Sequence, residues 1–118
     1  MNVLIVDDDR SILIRLTRWI LQMGWNADIA IDGIIAVKKL RNTEYQLVIT
    51  DLAMAGMTGI ALYDHIKAEY GIPVLVMTAY PEFAIKELKF PYIWLKDGEA
   101  EFTRILGDLI ETSYNQKV

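Results

Sequence analysis

The stretch VLIVDDD, residues 3–9, sets four apolar residues directly before three consecutive aspartates. A short, β-branched and unbroken apolar run of this kind reads as a strand buried on both faces, as in a parallel sheet covered by helices. Asp7, Asp8 and Asp9 then crowd its carboxyl end, where something must offset their mutual repulsion. Working outward, the pattern recurs at residues 46–50 (QLVIT), followed by Asp51, and at residues 73–77 (PVLVM), followed by Thr78. Residues 27–31 (ADIAI) and 92–95 (YIWL) are weaker strand candidates, and Lys96 follows the second of them.

Helical periods fill the intervals. Ile12, Leu16, Trp19, Ile20 and Met23 fall at helical spacing within residues 10–23, with Asp9 as N-cap and Gly24 as stop. Ala36, Val37 and Leu40 mark a second helix, and Leu62 and Ile66 a third that begins near Gly59. A short fourth is expected between Pro81 and Lys89. The last, from about Gly98, carries Phe102, Ile105, Leu106, Leu109 and Ile110, with Asp97 as its expected N-cap. Five βα units predict an α/β fold, a doubly wound parallel sheet with helices on both faces and right-handed crossovers.

In such a sheet, ligands sit in the crevice outside the carboxyl ends of the strands. Asp7, Asp8, Asp51, Thr78 and Lys96 therefore converge on one pocket. Three carboxylates there would partly protonate without a cation, and a hard divalent ion with oxygen ligands offsets them best. Magnesium keeps most of its waters and takes one or two carboxylates plus a phosphate oxygen, so it invites a phosphoryl group beside a carboxylate nucleophile.

Composition narrows the function classes. Hydrophobic residues make up 53% of the 118, with no low-complexity stretch, which indicates one small globular domain rather than disorder. A formal charge of −4 without a Lys/Arg-rich run argues against direct nucleic-acid binding by this chain. The absence of cysteine excludes a disulfide framework, a thiol nucleophile and a zinc-thiolate site. No apolar run approaches a membrane span and no basic segment precedes the first one, so the expectation is a cytoplasmic protein with no membrane partner.

Five spaced elements together resemble the receiver domains of bacterial response regulators in two-component signalling: the acidic pair after the first strand, VITDLAM with Asp51, Gly59 eight residues on, VMTAY with Thr78, and Lys96 after the last strand. The resemblance covers residues 1–118 as one receiver domain. It implies a flavodoxin-like (CheY-like) five-stranded sheet of order 2-1-3-4-5. By position, Asp51 would be the phosphoacceptor, fed by the phosphohistidine of a sensor histidine kinase or a phosphotransfer protein. Asp8 would ligate Mg2+ directly, Asp7 largely through its bound water, and the carbonyl of Ala53 would complete the metal set with Asp51. Thr78 and Lys96 would each hold a phosphoryl oxygen, lysine acting as a point charge. The resemblance makes the chain a phosphorelay switch and not an enzyme beyond its own phosphorylation and dephosphorylation. It also implies a downstream output domain or protein, and a homodimer surface on the fourth helix, fifth strand and last helix.

Departures from the family pattern fall mostly on that surface. Prolines common four residues after the acceptor and directly after the lysine are Ala55 and Asp97 here, so the Lys96–Asp97 bond is expected trans. The interval from Thr78 to Lys96 is short by roughly a helical turn, which predicts a shortened fourth helix. The switching aromatic three before the lysine is Ile93, flanked by Tyr92 and Trp94, so a muted aromatic switch is expected, with most of the change carried by the loop from Thr78 to Glu82 and the short fourth helix, and Trp94, two residues from Lys96, is placed to report it. Ala53 and Tyr80 occupy the positions that orient hydrolytic water in the family, so slow self-dephosphorylation is expected. Ile14 is expected exposed on the first helix as a kinase contact. Ile34 and Ile35 form either a local apolar surface or a contact patch. Trp19 is expected in the core, and His65 on the solvated side of the third helix. Two other functions compete: a haloacid-dehalogenase-type phosphatase built on Asp7-x-Asp9, and a degenerate receiver that binds partners without phosphorylation.

Overall fold

A computed structural model describes residues 1–54, 56–79 and 90–115 of the chain. Five parallel strands, β1 (Asn2–Val6), β2 (Asn26–Ala30), β3 (Leu47–Asp51), β4 (Val74–Met77) and β5 (Ile93–Trp94), form one sheet in the order β2-β1-β3-β4-β5. Helices α1 (Arg10–Gln22), α2 (Gly33–Asn42) and α3 (Gly59–Glu69) follow the first three strands, and a C-terminal helix (Glu99–Asn115) follows the fifth. The short helix expected between Pro81 and Lys89 lies outside the described residues, as do Ala55 and Tyr80. Among the described residues no helix is long and apolar enough to cross a membrane.

The period-two alternation of each strand divides the core into two layers. Val3, Ile5, Ile49, Leu75 and Met77 face α1 and the C-terminal helix; Leu4, Val6, Val48, Val74 and Val76 face α2 and α3. Trp19 lies against the first layer, as its period predicts, with its ring 5.8 Å from that of Trp94 and 5.3 Å from that of Phe102. Each fully buried side chain of this size contributes about 1.5–3 kcal/mol relative to exposure, so the central strands hold their register tightly. A slip by one residue would send every core side chain to the wrong layer.

Local signals set the helix ends. The Asp9 carboxylate accepts from the Ser11 N–H at 2.9 Å and caps α1. At the other end, Gly24 takes φ 83°, which frees its own N–H for Leu21 and the Trp25 N–H for Ile20, a Schellman closure. Asp32 and Thr58 cap α2 and α3 through bonds to the Ile35 and Ala61 N–H groups.

Four expectations are corrected. The second strand starts and ends one residue early, because its rungs run from Asn2↔Asn26 to Val6↔Ala30 and Ile31 falls beyond the last. The residue that opens the C-terminal helix is Gly98 rather than Asp97, since the Gly98 carbonyl accepts from the Phe102 N–H at 3.2 Å. His65 is half-buried: its Nε2 is enclosed without a hydrogen-bond partner, and the ring of Tyr70 stands edge-on to the imidazole, 6.0 Å away. The fifth strand also contracts from four residues to two, although the Tyr92 and Trp94 carbonyls still accept from the Val76 and Thr78 N–H groups.

Candidate functional site

Strand register brings the site residues together. Val6 pairs with Thr50, so Asp7 and Asp51, each one residue further, stand side by side. Asp51 pairs with Met77 and Met77 with Trp94, which places Thr78 and the chain leading to Lys96 at the same sheet end. Asp7, Asp51 and Thr78 are buried, Asp8 is exposed, and the carboxylates of Asp7, Asp8 and Asp51 each offer an oxygen within 4.8 Å of the others. Of the expected site residues, Ala53 stays at the rim: it lies two residues past β3 and is exposed.

Each carboxylate is held differently. One oxygen of Asp7 accepts from the Asp9 N–H at 2.9 Å, while Oδ2 is buried with no hydrogen-bond partner. The Lys96 ammonium lies 3.6 Å from that Oδ2 and 3.5 Å from Oδ1 of Asp51, close enough for attraction but not for a good direct hydrogen bond. Burial pushes the Asp7 carboxyl up to about 6, with Asp51 and Asp8 adding to the rise and the Asp9 N–H and Lys96 opposing it. Asp51 is also raised, by burial first and Asp8 second, against the pull of Lys96. Two buried acids held above the ordinary carboxyl range, one with an orphaned oxygen, are an incomplete electrostatic arrangement. A divalent cation with oxygen ligands fits it: Asp8 and Asp51, with Asp7, form an all-oxygen donor set suited to magnesium. When bound, such an ion would neutralise the carboxylates and draw phosphoryl oxygens to the pocket.

Glycine makes one wall of this site possible. A Cβ on Gly59 would lie 1.9 Å from the carbonyl oxygen of Asp51 and 2.6 Å from Cα of Leu52, so the start of α3 packs directly on the Asp51 backbone. The Gly59 N–H donates to the Leu52 carbonyl at 3.1 Å and ties the two segments together. The sequence motif contains this glycine, and the close approach is the reason for it.

Lys96 arrives by a less ordinary route. Among the described residues no peptide bond is cis, so the Lys96–Asp97 bond is trans as expected, and Lys96 is the one non-glycine residue with a positive φ, 59°. That left-handed conformation costs an L-residue roughly 1–2 kcal/mol. The ion pairs described for Lys96 go to Asp7 and Asp51, not to its neighbour Asp97. Ile93 lies half-buried on the α2/α3 side, while Trp94 is fully buried on the other, so the aromatic beside Ile93 points into the core. Trp94 was legible from the sequence only as a reporter; its burial and its indole contact appear in the tertiary structure alone.

Nothing in the geometry favours the Asp7-x-Asp9 arrangement of a haloacid-dehalogenase site. Asp9 turns away to cap α1, its carboxylate accepting from both the N–H and the hydroxyl of Ser11. Along α1, Ile14 is 62% exposed, as expected of a contact residue. It borders a groove of about 670 Å³ between α1 and β2 that Leu13, Thr17, Leu21, Ala27 and Ile29 also line. Ile34 is exposed and Ile35 half-buried.

Comparison with known proteins agrees with this geometry. The family model described as the response regulator receiver domain matches residues 3–89. The transcriptional regulatory protein ZraR of Escherichia coli K12 is 40% identical over 92 residues, covering 75% of this chain and 21% of ZraR. The DNA-binding response regulator MtrA of Mycobacterium bovis is 34% identical over 78 residues, 66% of this chain and 34% of MtrA. This chain thus corresponds to about a fifth of the length of ZraR, 21%. Among solved structures, the response regulator TrrA of Thermotoga maritima, in complex with Mg2+-BeF, superposes with a TM-score of 0.83 at 25% identity, over 92% of this chain and 97% of TrrA. RcsB of Salmonella enterica serovar Typhimurium, bound to a promoter in the presence of phosphomimetic BeF3−, does so with 0.82 at 26%, over 99% of this chain and 65% of RcsB. The family model runs from the first strand to beyond the fourth, and this chain belongs to the response regulator receiver domain family of two-component signalling.

Proposed function

We propose that this receiver takes a phosphoryl group on Asp51 from the phosphohistidine of a sensor histidine kinase or phosphotransfer protein, in a reaction that requires Mg2+. The carrying observation is the Asp51 carboxylate at a buried strand end, beside two further carboxylates and 3.5 Å from the Lys96 ammonium. An ionised Asp51 oxygen attacks phosphorus, the donor's N–P bond breaks as the O–P bond forms, and the product is an acyl phosphate on Asp51. Lys96 keeps Asp51 ionised against its burial and then pairs with a phosphoryl oxygen. Thr78, at the end of β4, donates its hydroxyl to another. Asp8 and Asp51, with the Ala53 carbonyl and a water held by Asp7, would ligate the magnesium. The Mg2+-BeF complex of TrrA supports this reading by likeness of fold and family. The chemistry is limited to the protein's own phosphorylation and dephosphorylation, and the output belongs to a linked domain or separate protein, or to a homodimer through β5 and the C-terminal helix.

The test is intact-mass analysis after incubation with acetyl phosphate and Mg2+. The wild type should gain a single phosphoryl group, chelation of the metal should prevent it, and Asp51→Ala should not gain it. A wild type that stays unmodified while Mg2+ binds, or an Asp51→Ala variant that labels equally, would refute the assignment.

A further inference from the structure

Lys96 has to reach Asp7 and Asp51 from a loop that hangs on a strand of only two residues, in a backbone conformation with φ 59°. A residue in the left-handed region persists where its surroundings over-determine it. Here those surroundings converge on Trp94. Its carbonyl accepts from the Thr78 N–H at 3.1 Å, which fixes the start of the loop to the end of β4. Its indole Nε1–H donates to the Gly98 carbonyl at 3.3 Å, which fixes the end of the loop back onto its start. The same carbonyl accepts from the Phe102 N–H, the first bond of the C-terminal helix. Gly98 itself takes φ 115°, so the chain turns twice in three residues to present its carbonyl to the indole.

The indole cannot drift from this position. Trp94 has no exposed surface, and its ring packs edge-on to Trp19 and to Phe102, with centroids 5.8 and 5.1 Å away. A side chain held in the core by two helices thus closes residues 94–98 into a ring with Lys96 at its tip.

We propose that Trp94 is a positioning residue for Lys96: its buried indole clamps Gly98 and so holds the left-handed turn that delivers the ammonium between Asp7 and Asp51. This rests on the reading of Asp51 as phosphoacceptor with Lys96 as its cationic partner. The clamp acts through Lys96, so its loss matters only while Lys96 is there to be positioned.

A double-mutant cycle tests this, with initial rates of labelling by acetyl phosphate and Mg2+ measured for the wild type, Trp94→Phe, Lys96→Ala and the double variant. Trp94→Phe should slow labelling roughly tenfold, short of the roughly hundredfold that a full ångström of misplacement can cost, because the Trp94 carbonyl still ties the loop to β4. The double variant should label as slowly as Lys96→Ala and no slower. To separate the lost N–H from lost core volume, benzothienylalanine introduced at position 94 alone keeps the ring shape and removes only the donor. It should reproduce most of the slowing. Equal slowing by Trp94→Phe with and without Lys96, or wild-type rates in the benzothienylalanine protein, would overturn the clamp. If Lys96→Ala labels as fast as the wild type while Asp51 still takes the phosphoryl group, the role of Lys96 fails and the clamp fails with it.

Discussion

The two sides of the pocket are built by different means. Asp7 directly follows β1 and Asp51 ends β3, central five-residue strands lined by fully buried side chains, and the register Val6↔Thr50 alone brings them side by side. Lys96 follows a two-residue edge strand and owes its place to a left-handed residue, a positive-φ glycine and one indole hydrogen bond. The negative charges are therefore placed by the global fold, and the positive charge by local devices. Changes on the carboxylate side should cost stability and labelling together, while changes on the lysine side should separate the two.

The largest effect to sharpen this contrast is Gly59→Ala. The new methyl would meet backbone of Asp51 and Leu52, which no rotamer change can relieve. Overpacking of this kind costs about 1–3 kcal/mol or more, and it displaces Asp51 itself. Urea denaturation should show the loss of stability, and acetyl phosphate labelling should fall in the same variant. Labelling at the wild-type rate would mean that the contact of α3 on Asp51 is not needed for the site.

Next in size is a pH effect confined to the carboxylate side. The metal-free fold holds Asp7 protonated up to about 6, above its ordinary 3.8, and burial raises Asp51 in the same direction. Such groups bind protons more tightly folded than unfolded. For Asp7 that contribution to stability is complete below the ordinary carboxyl value and is lost as pH rises through about 6, and Asp51 adds to it in the same direction. For Asp7 the loss is on the order of 3 kcal/mol by neutral pH. In the presence of a chelator, unfolding free energy should be higher at pH 5 than at pH 7.5, and Asp7→Asn should remove most of that difference. Mg2+ should stabilise more at pH 7.5 than at pH 5, because protons compete with it for the same oxygens. A metal-free protein equally stable at both pH values would show that the pocket is better solvated than its geometry implies.

On the lysine side a change should be mild. A Cβ on Gly107, inside the C-terminal helix, meets nothing within 4 Å. Gly107→Ala should raise stability by about 0.5–1 kcal/mol through the unfolded chain and the helix interior, with labelling unchanged. The pairing of Gly59→Ala with Gly107→Ala, one methyl each with opposite signs, isolates contact from propensity.

The smallest effect on stability is expected outside both regions. Helix α1 carries Arg10, Arg15 and Arg18 with no acidic residue, and Ile14 stands exposed beside them. Ile14→Ala should change stability by no more than about 0.5 kcal/mol and leave acetyl phosphate labelling as it is. It should slow transfer from the cognate kinase, for which Ile14 is the expected contact. Equal loss in all three measurements would make Ile14 part of the core.

By itself the sequence determined the alternation of strand and helix, the buried character of β1, β3 and β4, and the pocket at their carboxyl ends. Unbroken β-branched runs such as residues 3–6 bury both faces in one kind of sheet only, and whatever follows them must emerge at the same edge. Asp7, Asp8, Asp51, Thr78 and Lys96 were legible for that reason, and Gly59 because its spacing is part of the motif. The edge strands were read less well, since the exposed β2 and the two-residue β5 carry too few buried positions to show a period. Only the tertiary structure decided what depends on contacts between distant segments. It made Gly98 rather than Asp97 the residue that opens the last helix, it left His65 half-buried beside Tyr70 with Nε2 enclosed, and it turned Trp94 inward to hold Gly98. Burial, an indole's hydrogen-bond partner and the φ of Lys96 are properties of the packed neighbourhood, and local spacing along a chain does not encode them.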